Sequence, residues 1–457
     1  MKNFVLEDTI AAIATAPGNG AIGIIRLSGP QTYPIFNKCW DGPSLETQPI
    51  GKAVLGSFLD LESQKPLDQV LLLLFRNPHS YTGEDVIEIH AHGGQLLLNH
   101  LLTQLLRAGA RSAEPGEFTK RAFLNGKLDL IQAESVADLI SASSDQAAHM
   151  AEKYLQGQLS ETIKKMRNEL KVLRAQMEAM IDFPEDEDVQ GLYYEEINDR
   201  IDRISKKVTA LLSTYEEGRR MREGIRVAIV GKPNVGKSSL FNALLQENRA
   251  IVHSSPGTTR DLIEECLVLN GLTLRFIDTA GIREIQDSVE EEGIRRAQEK
   301  LSTADLVLVV LDLSQPLTSE DTKVFSLVSQ NSNVLLVLNK SDLPTQLALQ
   351  KLPYKQISVS SKSGDGIEDL KQNIVSHFQK NSVNSDGIVI THLRHRIALE
   401  KALRSLVQLR QSSGDKLSLE FLVADLNSLT DQLGEMTGEI TNDEILGEIF
   451  SNFCIGK

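Results

Sequence analysis

The segment Gly231-Lys232-Pro233-Asn234-Val235-Gly236-Lys237-Ser238 constrains this chain more than any other. It matches G-x-x-x-x-G-K-S and follows the β-like run Arg226 to Val230, where a strand turns into a helix. Glycines there let backbone N–H groups close around phosphate oxygens. Lys237 neutralises the β- and γ-phosphates, and Ser238, followed by Ser239, can offer its hydroxyl to magnesium. Such a loop needs an α/β sheet behind it. From Gly224 to about Phe378 the pattern complies: Leu272 to Ile277, Leu306 to Leu311, Val334 to Leu338 and Gln356 to Ser358 are β-like runs, each followed by a helix-like segment. That alternation predicts a parallel sheet with helices on both faces.

Three further elements follow in the order a guanine-nucleotide site requires. Asp278-Thr279-Ala280-Gly281 lies after one strand, where an Asp can reach magnesium through water and a glycine N–H can sense the γ-phosphate. Asn339-Lys340-Ser341-Asp342 follows another, and Asp342 can accept two hydrogen bonds from the N1 and N2 edge of guanine, a pair adenine cannot offer. Ser360-Ser361-Lys362 fits the loop touching the guanine oxygen. Gly257-Thr258-Thr259 has the position of a switch, with Ser238 and Thr259 as protein ligands of Mg2+. The expected ligands are GTP and GDP. After Asp278-Thr279-Ala280-Gly281 comes Ile282, which cannot orient an attacking water as a glutamine there would. Glu290, in the acidic stretch Asp287 to Glu292, is the nearest candidate for that role; an exposed charge at a helix start fits it equally well.

Outside this block the periods change. Ala21 to Leu27, Val54 to Leu59, Val70 to Phe75 and Val86 to Ala91 read as strands, interrupted by a helix over Gln95 to Arg107, which predicts an α+β domain over residues 1–120. Beyond Pro115-Gly116 the pattern is helical. Leu159, Ile163, Met166, Leu170, Leu173, Met177 and Ile181 mark a long amphipathic helix ending near Pro184 and the acidic loop Glu185 to Asp188. A second stripe runs through Ile197, Ile201, Ile204, Val208, Leu211 and Tyr215. Helical spacing resumes after the polar stretch Asn381 to Gly387, and Thr441 with Glu444 forms a capping box for a last helix. The expected segments are a helical part over 121–222, a G domain over 223–380 and a second helical part over 381–457. One all-α bundle with the G domain inserted is the economical arrangement; two helical domains also fit.

Composition sets limits on partners. The 48 Lys and Arg against 62 Asp and Glu give a net charge of −14, which argues against a chain that grips nucleic acid alone through a broad basic face. Three cysteines, far apart, fit a reducing compartment and form neither a disulfide framework nor a zinc spacing. No secretory pattern and no uninterrupted run of 18 apolar residues is present, so a cytoplasmic protein without membrane association is expected.

Several stretches together resemble one family, the MnmE-type (TrmE) tRNA modification GTPases. They are Ala21-Ile22-Gly23-Ile24-Ile25-Arg26-Leu27-Ser28-Gly29, Ser80-Tyr81-Thr82-Gly83-Glu84-Asp85, Pro115-Gly116-Glu117-Phe118-Thr119, Asn125-Gly126-Lys127-Leu128-Asp129-Leu130, the G-domain motifs, and the terminal Cys454-Ile455-Gly456-Lys457. The resemblance implies an N-terminal tetrahydrofolate-binding domain that forms a homodimer, a helical domain, and a Ras-like G domain that dimerises when K+ is bound. It also implies a FAD-containing MnmG-type partner, forming a heterotetramer or larger complex. With it, an aminomethyl or carboxymethylaminomethyl group is added to carbon 5 of the wobble uridine of certain tRNAs. FAD would reside on the partner only.

By motif, the folate contacts implied are Arg26, Glu88 and Lys127, with Lys457 close by, for 5,10-methylenetetrahydrofolate or its analogue 5-formyltetrahydrofolate. Cys454 is the accessible thiol implied at that site, in a redox or nucleophilic role. Strand alternation places Glu88 and His90 opposite Ile87 and Ile89, so Glu88 either faces solvent or meets a pterin edge. Potassium would be held by Asn234 with His253, Ser255 and Thr258, in a segment His253-Ser254-Ser255-Pro256-Gly257 that lies against the nucleotide. There it would occupy the place of an arginine finger, with Glu290 aligning the water. His253 stands where a small hydroxyl residue is common, and Pro256 stiffens the loop; both bear on potassium affinity. The alternative is a ribosome-assembly GTPase of the Era or Der kind, which predicts a basic RNA-binding module; Ser382 to Lys457 is acidic to mixed.

Overall fold

The computed structural model describes residues 8–183, 194–245, 266–277, 301–329, 331, 333–347, 354–379, 387–415, 417–440 and 442–457. Two compact units divide the chain: residues 1–140, 152–194 and 412–457 form one, and 141–151 with 195–411 form the other.

The first unit is built on a seven-stranded sheet: β1 (Ile10–Ile13), β2 (Ile22–Ser28), β3 (Trp40–Asp41), β4 (Ala53–Leu59), β5 (Pro66–Phe75), β6 (Val86–His92) and β7 (Arg111–Ser112), in spatial order β3-β4-β5-β6-β2-β1-β7. The period-two alternation has the expected effect. Ile25, Leu27, Leu72, Leu74, Ile87 and Ile89 turn into a core shared with Leu98, Leu101 and Leu105 of the helix Gln95–Ala108. Helix and strand approach so closely that a Cβ at Gly23 would lie 2.4 Å from Leu98 Cδ1. The opposite face carries Arg26, Glu88 and His90, half-buried.

The long helix forms over Gln158–Asp182 and buries its predicted stripe. It packs on Leu419–Thr437, whose Leu422, Leu426, Leu429, Leu433 and Met436 are buried. Polar contacts fix their register: Arg167 Nε donates to Thr430 O at 3.1 Å and Arg174 Nη1 to Asn427 Oδ1 at 2.6 Å. The last helix, Asp443–Ser451, lies against Glu117–Leu124 and feeds Leu446 and Phe450, with Phe453 just beyond its end, into a small cluster with Leu130 and Ala133.

The second unit holds a six-stranded sheet: β8 (Ile225–Val230), β9 (Cys266–Leu269), β10 (Leu272–Phe276), β11 (Leu306–Asp312), β12 (Val334–Asn339) and β13 (Lys355–Ser358), ordered β13-β12-β11-β8-β10-β9. Every residue of β11 is buried, as a central parallel strand covered on both faces requires.

Three expectations need correction. The sheet is mixed, because β9 pairs antiparallel with β10. The sequence carried that signal: Asn270 and Gly271, at φ of 47° and 81°, form a two-residue hairpin turn between apolar runs. The second helical stripe breaks before Tyr215, giving Tyr194–Ser213 and Tyr215–Glu223. A distant contact sits at the break, since the Thr214 hydroxyl accepts from Ile390 N at 2.9 Å while donating to Leu211 O at 2.6 Å. The last helix is capped by Asn442, whose side chain accepts from Glu444 N at 3.2 Å; Thr441 lies outside the described residues, as do Glu185 to Asp188.

Candidate functional site

In the second unit, β8 runs into the phosphate loop and the loop into the helix Lys237–Leu245. Asn234 and Gly236 have φ of 60° and 97°, a left-handed backbone that turns successive N–H groups toward one concavity. A Cβ at Gly236 would stand 2.2 Å from Asn339 Nδ2. That same amide donates to Val235 O at 2.7 Å, so the phosphate loop and the end of β12 are joined directly. Lys237 Nζ donates to Gly231 O and Lys232 O, both at 2.7 Å. Lys232 reaches sideways to Asp321 Oδ2 at 2.9 Å, and Asp321 also caps the helix Ser319–Val328 through Thr318.

Asn339 and Asp342 meet Ser360 and Ser361 at the end of β12. Asn339 Oδ1 accepts from Ser361 N at 3.0 Å and from its hydroxyl at 2.8 Å, while Ser360 Oγ donates to Asp342 Oδ1 at 2.7 Å. Asp342 is exposed and Ser360 fully buried, so a fixed hydroxyl orients an accessible carboxylate. Lys340, at φ 65°, places its ammonium 2.6 Å from Asp312 Oδ2. Val235 is buried and Ser239 exposed. His253, Ser254, Ser255, Pro256, Gly257, Thr258, Thr259, Asp278, Thr279, Ala280, Gly281 and Glu290 lie outside the described residues.

A second constellation forms in the first unit. Arg26 donates from Nε at 3.0 Å and Nη2 at 2.8 Å to Glu88 Oε1, and its guanidinium carbon lies 5.5 Å from the ring centroids of both Tyr81 and Phe118. The C-terminal tail closes beside it: Phe118 N donates to Lys457 O at 3.1 Å, Gly116 N to Cys454 O at 3.4 Å and Arg26 Nη1 to Gly456 O at 3.5 Å. Burial, and then the Arg26 cation, hold the Lys457 ammonium below the usual lysine range, with Glu88 and Cys454 pulling it back up. Cys454 is exposed and outside any disulfide. Lys127 instead donates to Pro78 O at 3.1 Å, with its stem alongside Gly83 in the same loop as Tyr81.

Two domain profiles match in sequence: residues 9–127 match the GTP-binding protein TrmE N-terminus and residues 130–454 the MnmE helical domain. The chain belongs to the MnmE family of tRNA modification GTPases. As a family member it is a GTP hydrolase. The tRNA modification GTPase MnmE of Alkaliphilus metalliredigens is 42% identical, over 99% of this chain and 100% of that protein. That of Geobacter sulfurreducens is 43% identical, over 99% and 100%. Among solved structures, the G domain of the T. maritima FeoB iron transporter is 31% identical over 34% of this chain and 98% of its own, with a TM-score of 0.26. Among the described residues no helix is long and apolar enough to cross a membrane.

In this MnmE family member further side chains pack around the two constellations. Tyr81 and Phe118 stood within family motifs, without a role. Arg121, with a fully buried side chain, donates to Asp8 Oδ1 at 2.8 Å, Glu117 Oε1 at 2.9 Å and Glu84 Oε1 at 3.2 Å, and so ties the loop that carries Tyr81 to the helix that carries Phe118. Asp312 had one legible signal: it is the single charge ending an otherwise apolar strand.

Proposed function

We propose that this GTPase is activated by potassium. With a FAD-containing MnmG-type partner, in the cytoplasm, it adds an aminomethyl or carboxymethylaminomethyl group to carbon 5 of the wobble uridine of certain tRNAs, drawing the carbon from a tetrahydrofolate. The observation that carries the folate part is the assembly of Arg26, Glu88, Tyr81 and the C-terminal tail at one place. Its chemistry suits a folate. One carboxylate oxygen of Glu88 takes both Arg26 bonds, and Oε2 can accept from the amide-and-amine edge of a pterin. Tyr81, backed by the Arg26 guanidinium, supplies aromatic surface, and Arg26, Lys457 and Lys127 supply cations for a polyanionic tail. The folate brings the one-carbon unit; Cys454, exposed on the tail, is the nucleophilic or redox thiol of the reading.

In the nucleotide site, Asn339, Asp342, Ser360, Ser361 and Lys362 hold the guanine, while Val235 to Ser239 and Lys237 hold the phosphates. Ser238 offers its hydroxyl to Mg2+ with Thr259, and Asn234 contributes to a K+ site with His253, Ser255 and Thr258. Potassium offsets charge developing between the β- and γ-phosphates, and Glu290 aligns the water. The protein acts as a homodimer.

Mass spectrometry of wobble uridines from cells lacking this protein tests the proposal. The carbon-5 modification should disappear and return with the gene. A normal modification profile in its absence contradicts the function.

A further inference from the structure

Asp312 is a charge where the fold needs none. Six apolar residues, Leu306 to Leu311, precede it in β11, and its own side chain is 2% exposed. A carboxylate taken that far from water is strongly disfavoured unless it is paired and hydrogen-bonded. Its bonds account for the cost and show where it is directed. Oδ1 accepts from Ser314 N at 2.9 Å and Ser314 Oγ at 2.6 Å, and Oδ2 faces Lys340 Nζ at 2.6 Å.

Lys340 belongs to the base-reading turn. Asp312 is the register partner of Asn339 across β11 and β12, and Leu313 N donates to Asn339 O at 2.9 Å, so the acid stands beside the residue that opens this turn. Lys340 itself has φ 65°, a left-handed backbone that is unfavourable for a non-glycine residue and persists only where its surroundings hold it. Asn339 is held by Val235 and Ser361, and Asp342 by Ser360. Lys340, between them, is held by Asp312.

We propose that Asp312 is a positioning residue for guanine-nucleotide binding: from the end of β11 its carboxylate anchors the Lys340 ammonium and keeps Asn339-Lys340-Ser341-Asp342 in the shape that presents Asp342 to the base. The inference rests on the reading of this unit as the guanine-nucleotide site. Asp312 touches no part of the phosphate loop's chemistry in this arrangement, so its loss should act on affinity and leave the hydrolytic step alone.

The test uses the full-length protein, with fluorescent mant-GDP as the probe and steady-state GTP hydrolysis beside it. Asp312→Asn keeps the shape and removes the charge. It should weaken mant-GDP binding by about tenfold and raise KM for GTP by a similar factor, with kcat within about twofold. In a double-mutant cycle, Asp312→Asn should add little to Lys340→Met, because the two remove one interaction. Ser314→Ala, which loosens Asp312 without uncovering a charge, should weaken binding by about two- to threefold, and decides the matter if Asp312→Asn does not fold. Wild-type affinity in Asp312→Asn or Ser314→Ala overturns the inference, as does additivity with Lys340→Met. A lowered melting temperature with unchanged affinity in the folded fraction also overturns it, since that is what a purely structural role produces. Failure of the wild-type chain to bind mant-GDP overturns the nucleotide-site reading itself.

Discussion

Arg26 and Glu88 are register partners across β2 and β6, and two donors of the guanidinium converge on one carboxylate oxygen, at 2.8 and 3.0 Å. The pair is partly buried, with side chains 15% and 18% exposed, and the second carboxylate oxygen of Glu88 lies 3.8 Å from His90 Nε2. Glu88→Ala should therefore weaken binding of 5-formyltetrahydrofolate by about tenfold or more, the usual scale for losing a charge-assisted hydrogen bond. Calorimetric titration measures it. Unchanged affinity removes Glu88 from the folate site.

Arg121 holds three carboxylates from within the first unit. Arg121→Met should destabilise that unit by about 3 kcal/mol or more, because Glu84, partly buried, would be left without its cation and Glu117 would keep Arg111 alone. Trp40, the only tryptophan, lies in β3 against Phe36, so its fluorescence during urea denaturation reports on this unit. A midpoint within error of wild type would show that the network contributes nothing net.

Acid should weaken the same network. Burial raises the pKa of Asp8 and of Glu117, but bonds from Arg111 and Arg121 outweigh it and leave both below their ordinary values of 3.8 and 4.5. Folded-state values below the unfolded ones mean that the stabilisation is fully present above the ordinary values and is lost as pH falls through the folded ones. The melting temperature of the Trp40 transition should accordingly drop below about pH 4, and less steeply in Arg121→Met. Equal slopes in the two proteins would assign the acid sensitivity elsewhere.

At Gly236 a methyl group has no room, since it would meet Asn339 Nδ2 at 2.2 Å on a left-handed backbone. Gly236→Ala should push apart the phosphate loop and the base-reading turn together. Mant-GDP binding should fall by about a hundredfold or more, with the Trp40 transition unmoved because it belongs to the other unit. Retained affinity would mean that the Val235–Asn339 link is dispensable.

GTP turnover should be slow in sodium and faster in potassium at equal ionic strength, and equal rates would end the cation proposal. Glu290→Ala should abolish turnover and leave GTP binding nearly intact. Loss of binding would assign Glu290 a structural role.

Whatever depended on neighbours in the chain was legible before the structure. The strand and helix periods, the phosphate loop and the order of the nucleotide motifs are short-range patterns, and they placed β2, β6, β8 and the helix Gln158–Asp182 within a residue or so. The hairpin at Asn270-Gly271 is encoded just as locally.

The sequence by itself determined the family, the two sheets' apolar faces and the order of the nucleotide motifs, because each is encoded in spacing along a few consecutive residues. Only tertiary structure decided what holds those residues in place. Asp312 meets Lys340 across 28 positions, Asp8 meets Arg121 across 113, and Arg26 meets the Gly456 carbonyl across 430. Apart from Asp312, which ends an apolar strand, no local pattern distinguishes these charges from the many acidic and basic residues that face solvent. Burial makes the difference, since a carboxylate or guanidinium removed from water must find its counter-ion, and only the packed sheets determine which one lies within reach.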